Sequence, residues 1–191
     1  MKTNKALFAL ALLAAGSFAQ AETGTYAIDP THTYVTYEIQ HFGTSTNRGR
    51  FDKKEGTVQL DKAAKTGKVE VSFDVAAVNT GYAAMDKHVL SADILDAEKF
   101  PKVTFVGDKF TFDGDKVTSV SGQLTMKGKT GPVTLKATNF NCYTSPMLKR
   151  EVCGGDFETV IDRPYYGVDY GVAYGFSKSL KLVIQVEAVK Q

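Results

Sequence analysis

From Val35 to Ile39 the chain reads Val-Thr-Tyr-Glu-Ile, apolar and polar side chains in alternation. A period of two predicts a strand with one buried face. The same alternation returns over Val69–Val75, at Val103 and Phe105, at Val120, Leu124 and Met126 around Gly122, over Val133–Ala137 and over Leu180–Val186. Thr57–Leu60, Lys109–Phe112 and Phe157–Ile161 are further candidate strands. Turn-forming residues fall between the runs. Asp113-Gly114-Asp115 predicts a hairpin, Lys65-Thr66-Gly67-Lys68 another, and Lys127 to Pro132 a connection with Pro132 at a strand entry. About eight or nine short strands with tight turns predict an all-β fold, either an antiparallel sandwich or a closed up-and-down barrel.

One stretch departs from that period. Met85, Val89, Ala92 and Leu95 recur at a spacing near that of a helix, so one or two short helices are expected within Tyr82–Phe100, ending before Pro101. No linker-like or repeated segment divides residues 22–191, and one domain is expected there.

The N-terminus changes the charge picture. Lys2 and Lys5 precede the apolar run Ala6–Ala15, and Ala19-Gln20-Ala21 offers a small-x-small cleavage site, so residues 1–21 are expected to be a secretory signal peptide. The run is shorter than the roughly 20 apolar residues of a membrane span, and no stable membrane anchor is expected. Removing 21 residues from 191 leaves 170, and removing two lysines from 23 basic residues leaves 21 against 21 acidic. Nucleic-acid binding needs a basic face, and nothing of that kind stands out in a formally neutral chain, so no nucleic-acid partner is expected. Export also bears on Cys142 and Cys153, the only cysteines. In an oxidising compartment a disulfide between them is the expected state, worth about 3 kcal/mol by loop entropy. Neither has a second Cys or His beside it at metal-ligand spacing, and no metal is expected.

Candidate chemistry is sparse. His41 continues the inward phase of Val35, Tyr37 and Ile39, where it could meet a ligand's polar end or simply cap a strand with a hydrogen bond. Asp86 and His88 resemble half of an acid–base site, yet on a helix they lie about 200° apart. Ser177 and Ser179 make no nucleophile elbow, Asp113-Gly114-Asp115 is too short for a calcium loop, and no glycine-rich phosphate loop occurs. No enzyme signature and no cofactor site emerge. What remains is the inside of the sheet: Tyr37, Ile39, Phe73, Phe105, Leu124, Met126, Leu135 and Ile184 share the inward phase, with Phe51, Phe100, Phe157 and Phe176 near strand ends. A barrel of about eight strands can be filled by such side chains or can hold one small ligand. Alternation leaves both open.

Four stretches together resemble the YceI family of exported bacterial proteins. They are Asp29-Pro30-Thr31-His32-Thr33 with Tyr37–Gly43 and Arg48–Phe51; Val78–Gly81 with Asp86–Val89 and Phe100–Phe105; Gly122–Val133; and Asp162-Arg163-Pro164-Tyr165-Tyr166-Gly167. The resemblance spans about Tyr26 to Val189. It implies a lipocalin-like, eight-stranded antiparallel β-barrel with short helical segments, and an apolar tunnel holding a long isoprenoid lipid such as a polyprenol, a polyprenyl phosphate or an isoprenoid quinone. It also implies a periplasmic location and a homodimer. Typical members carry Arg and Leu where this chain has Met85 and Val89, which bears on the ligand's head group. On this reading the ligand-binding residues are Tyr37, Ile39, His41, Phe42, Arg50, Phe51, Phe73, Phe105, Leu124, Met126, Leu135, Phe157, Phe176 and Ile184, with Arg48 a further candidate beside His41 and Arg50 at the tunnel mouth. Two rival readings are an enzyme or stress protein acting through His41 or His88, and a filled barrel serving as a protein-interaction module.

Overall fold

The computed structural model describes residues 23–191; the expected signal peptide, residues 1–21, lies outside the described residues. The strands are β1 (Gly24–Ile28), β2 (Tyr34–His41), β3 (Ser45–Phe51), β4 (Lys54–Asp61), β5 (Thr66–Asp74), β6 (Val78–Asn79), β7 (Lys102–Asp113), β8 (Lys116–Met126), β9 (Lys129–Thr144), β10 (Glu151–Asp162) and β11 (Ser179–Lys190). Every pairing is antiparallel. β11 meets β1 through Ile28–Ala188 and β2 through Ile184–Val35, so β1 and β2 are one interrupted strand along the same neighbour. β3 and β4 answer them as a second interrupted strand, and β5 and β6 as a third. Counted this way the sheet is an eight-stranded up-and-down barrel, closed by β1 and β2 against β11.

The break between β1 and β2 is held from within the Asp29–Thr33 motif. Asp29 N–H donates to the Glu187 carbonyl at 2.9 Å, and buried Thr33 both donates to that carbonyl and accepts from Glu187 N–H at 3.2 Å. A side-chain hydroxyl thus replaces the missing ladder bonds. The Asp29 carboxylate caps the turn, accepting from Thr31 N–H at 2.8 Å and pairing with His32 Nδ1 at 2.7 Å. Asp29 lifts the exposed His32 imidazole above its ordinary pKa. His32 therefore serves a turn on the outside of the barrel.

Several local expectations need correction. Lys109–Phe112 is no separate strand: it continues β7 past an irregularity at Gly107–Lys109. Helix α1 covers only Ala83–Leu90, and residues 91–101 are turns and extended chain, with Asp96 at φ 49°. The turn before β5 lies at residues 62–65 rather than 65–68. The β8–β9 turn is only Lys127 and Gly128, at φ 49° and 73°, the pair of positive φ values that a two-residue hairpin needs. Pro132 accordingly sits inside β9, opposite Gln123 of β8. Its missing N–H is tolerated because β10 pairs with β9 only from Lys136 onward.

Cys142 and Cys153 are bonded, and they stand directly opposite each other on β9 and β10. Replacing both with alanine is expected to destabilise the barrel by about 3 kcal/mol, a fall in melting temperature of roughly 6–12 °C for a domain of this size. Thermal unfolding of the variant checks this; an unchanged transition would show that the ladder alone holds the hairpin.

Candidate functional site

Closing the sheet turns the inward phase of every strand toward one axis, and two chambers lie along it. The inner chamber, about 130 Å³, is bounded by β1, β2, β4, β5, β7–β11 and the buried Thr33. Its walls are almost wholly apolar: Ile28, Val58, Leu60, Phe105, Phe110, Val120, Leu135, Phe140, Phe157, Ile184 and Val186 among them. An apolar space of this size offers water no partners and stays dry. At this end, Glu151 of β10 accepts from Tyr26 Oη at 2.5 Å and from Lys62 Nζ at 2.6 Å, which ties β1, the β4–β5 turn and the start of β10 together. Burial and the Glu151 carboxylate raise the Tyr26 pKa. Burial alone would raise that of Glu151, but hydrogen bonds from Lys62 and Tyr26 outweigh it and hold the carboxyl below its ordinary value.

The outer chamber, about 500 Å³, lies toward the other end, within the roughly 300–1,000 Å³ typical of small-molecule sites. Phe73, Leu124 and Leu182 line both chambers and mark where they meet. Helix α1 presents Met85, His88 and Val89 to the outer chamber, the i, i+3, i+4 spacing of one helical face. The Asp86 carboxylate turns away to accept from Thr80 N–H and Oγ1, both at 2.7 Å, and so anchors the helix start. Tyr37 lies across Gly49 of β3, where a Cβ would stand 2.6 Å from the phenol ring. Burial, with the Asp86 charge nearby, pushes the Tyr37 phenol up to about 12, so it remains a neutral donor.

Of the residues singled out from sequence, Phe105, Leu135, Phe157 and Ile184 line the inner chamber and Phe73 and Leu124 both. Tyr37, Ile39, His41, Phe51, Met126 and Phe176 line the outer one. Phe42 and Arg50 line neither. Phe42 is exposed at the rim, its ring 5.3 Å from Phe176 and 4.9 Å from His41. Arg50 belongs to the outward phase of β3, between inward Gly49 and Phe51, and pairs with Asp52 at 2.6 Å. Arg48 borders the outer chamber, but its Nε donates to Glu38 at 2.7 Å. Phe100 packs under the β8–β9 turn, near Gly128, and lines neither chamber.

Neither histidine of the outer chamber is oriented by a carboxylate. His41 packs edge-on against Phe42 and Phe176, and His88 against Tyr170 at 4.8 Å. Among the described residues the one cluster with metal-ligand spacing is Cys142, Glu151 and Cys153, and its two sulfurs are bonded to each other. The arrangement is suited to holding an apolar molecule by burial, at about 25 cal/mol per Å² removed from water.

Sequence reasoning missed Arg163. It follows β10, only 3% exposed, and borders the outer chamber. Its Nε donates to the Ser177 carbonyl at 2.7 Å and its Nη1 to that of Val168 at 2.8 Å. The only signal was an arginine inside the Asp162–Gly167 motif, with no indication that it would be buried.

A closed eight-stranded barrel with a dry apolar interior and a wider, partly polar mouth defines an antiparallel β-barrel of the small-ligand-holding class. The YceI-like domain family model matches residues 26–188, and the chain belongs to that family. A UPF0312 protein of Pseudomonas putida is 38% identical over 184 residues, covering 95% of this chain and 93% of that protein. Burkholderia cenocepacia BcnA superposes with a TM-score of 0.69 at 22% identity, covering 84% of this chain and 98% of that one. A polyisoprenoid-binding domain from Saccharophagus degradans superposes with a TM-score of 0.59 at 13% identity, covering 87% and 98%.

Proposed function

We propose that this protein binds a long-chain isoprenoid lipid and carries or stores it in the periplasm, without covalent chemistry. The observation that carries the reading is the pair of chambers meeting at Phe73, Leu124 and Leu182, the inner one lined by no charged residue. An isoprenoid tail is nearly all apolar surface, and its passage through water unshielded is costly. A branched, flexible chain suits walls of aromatic, aliphatic and methionine side chains, which adapt to its shape. The Saccharophagus degradans domain, described as polyisoprenoid-binding, shares the fold and supports the same ligand class here. Export through residues 1–21 accords with the disulfide at Cys142–Cys153. Among the described residues no helix is long and apolar enough to cross a membrane.

The test is mass spectrometry of lipid extracted from protein purified natively from its own cell envelope, paired with thermal unfolding in added geranylgeraniol. A co-purifying isoprenoid is expected. Ligand at about 100 times its Kd stabilises by about 2.7 kcal/mol, which raises the melting temperature by roughly 5–10 °C. No extracted lipid together with no thermal shift would overturn the reading. The intact mass of the same sample reads whether the chain begins at Glu22, and its sedimentation reads whether two copies associate.

A further inference from the structure

Arg163 is a buried cation with an incomplete set of partners. Two of its three guanidinium nitrogens donate to main-chain carbonyls, and the ring of Phe176 lies 5.5 Å from Cζ. The third, Nη2, is buried and has no hydrogen-bond partner among the described residues. Carbonyl oxygens and a ring face satisfy donors without neutralising the charge. The Asp169 charge acts on it only at longer range, since no carboxylate of the described residues lies within 4.0 Å of the guanidinium. Desolvation lowers the Arg163 pKa, yet a guanidinium stays charged in a protein. A desolvated, uncompensated cation is costly, and so is a buried donor left unmade.

The surroundings share this bias. No Asp or Glu lines the outer chamber, whereas Asn47, Thr46, Thr80, Tyr37, His41 and His88 do. Arg48 at the rim is already engaged by Glu38. Arg163 is thus the cation of this chamber without a carboxylate, placed where a lipid whose tail fills the inner chamber would leave its head.

Resting on the lipid-binding reading above, the geometry points to an oxyanion head group, a phosphate monoester or a carboxylate, that neutralises Arg163 from the outer chamber, a small turn of the guanidinium bringing the buried Nη2 onto it. A charge-assisted bond of this kind exceeds what the hydroxyl of an alcohol or the carbonyl of a quinone supplies to the same donor. Arg163 is then the residue that selects among lipids with similar tails.

The experiment compares three probes on the mature protein by calorimetry: geranylgeranyl phosphate, phytanic acid and geranylgeraniol. At least one acid is expected to bind about tenfold or more tighter than the alcohol, the yield of one charge-assisted hydrogen bond. Whichever acid binds tighter identifies the head. Arg163→Met is expected to bring the acid-to-alcohol ratio, read within the variant, to near one, and Arg163→Lys to recover part of it. Arg50→Gln, on the outer face, is expected to keep the full ratio. Equal affinity of the wild-type protein for acids and alcohol overturns the inference whether or not the Arg163 variants fold, and leaves lipid binding standing. Failure of all three probes to bind instead overturns the lipid reading itself.

Discussion

Leu124→Trp is expected to weaken binding of geranylgeraniol by about 100-fold while leaving geraniol within about threefold. Leu124 is buried on β8 and lines both chambers, as Phe73 and Leu182 do. An indole there occupies the passage between them, so a long tail can no longer reach the inner chamber. Excluding three or four methylene-sized units from apolar burial costs about 3 kcal/mol, which is about two decades in Kd. The short chain needs only the outer chamber and loses nothing of that kind. Overpacking a core usually costs about 1–3 kcal/mol, but the indole has about 130 Å³ of open space beside it. The barrel is therefore expected to stay folded at room temperature. Because the natural chain has no tryptophan, the new indole also reports on its own surroundings by fluorescence. Unchanged affinity for geranylgeraniol in a folded variant would mean that the lipid does not thread the barrel.

The residues of this waist were legible because strand periodicity is a local rule. Phe73, Phe105, Leu124, Met126, Leu135 and Ile184 face inward for the same reason that Val35, Tyr37 and Ile39 do, and a closed sheet has only one inside. The same rule, applied strictly, excludes Arg50: inward Phe51 on the next position fixes its outward direction. Alternation could not separate a filled barrel from a hollow one. Cavity volume depends on how large and small side chains from distant strands meet across the axis, and that register is not a local property. Arg163 was invisible for a different reason. Its two hydrogen-bond partners, Ser177 and Val168, belong to the connection before β11, and nothing in Asp162–Gly167 states that this connection folds back over the arginine. One of the one or two short helices expected within Tyr82–Phe100 forms, at Ala83–Leu90; the apolar spacing runs on to Leu95 although the chain leaves the helix at Ser91.

Gly122→Val is expected to destabilise the protein by about 3 kcal/mol or more and to lower its melting temperature by roughly 6–12 °C. In sequence Gly122 is simply the gap between inward Val120 and Leu124. In the barrel it pairs with Gly107 of β7, next to the irregularity that lets β7 bend. A Cβ built on Gly122 would lie 2.2 Å from the Val106 carbonyl oxygen and 2.6 Å from the Gly107 Cα. Those atoms are main chain in a paired strand, so they cannot move aside as the end of a side chain could. The two facing glycines allow β7 and β8 to approach at a sharply coiled corner of the barrel wall. A valine there must separate the strands, and separation unpairs ladder bonds on both sides of the corner. Ser121→Val, one position along on the outer face, is the matched control and is expected to stay within about 0.5 kcal/mol. If chemical denaturation finds the Gly122 variant as stable as the control, the close approach of β7 and β8 does not hold the corner, and the curvature must come from the β7 irregularity alone.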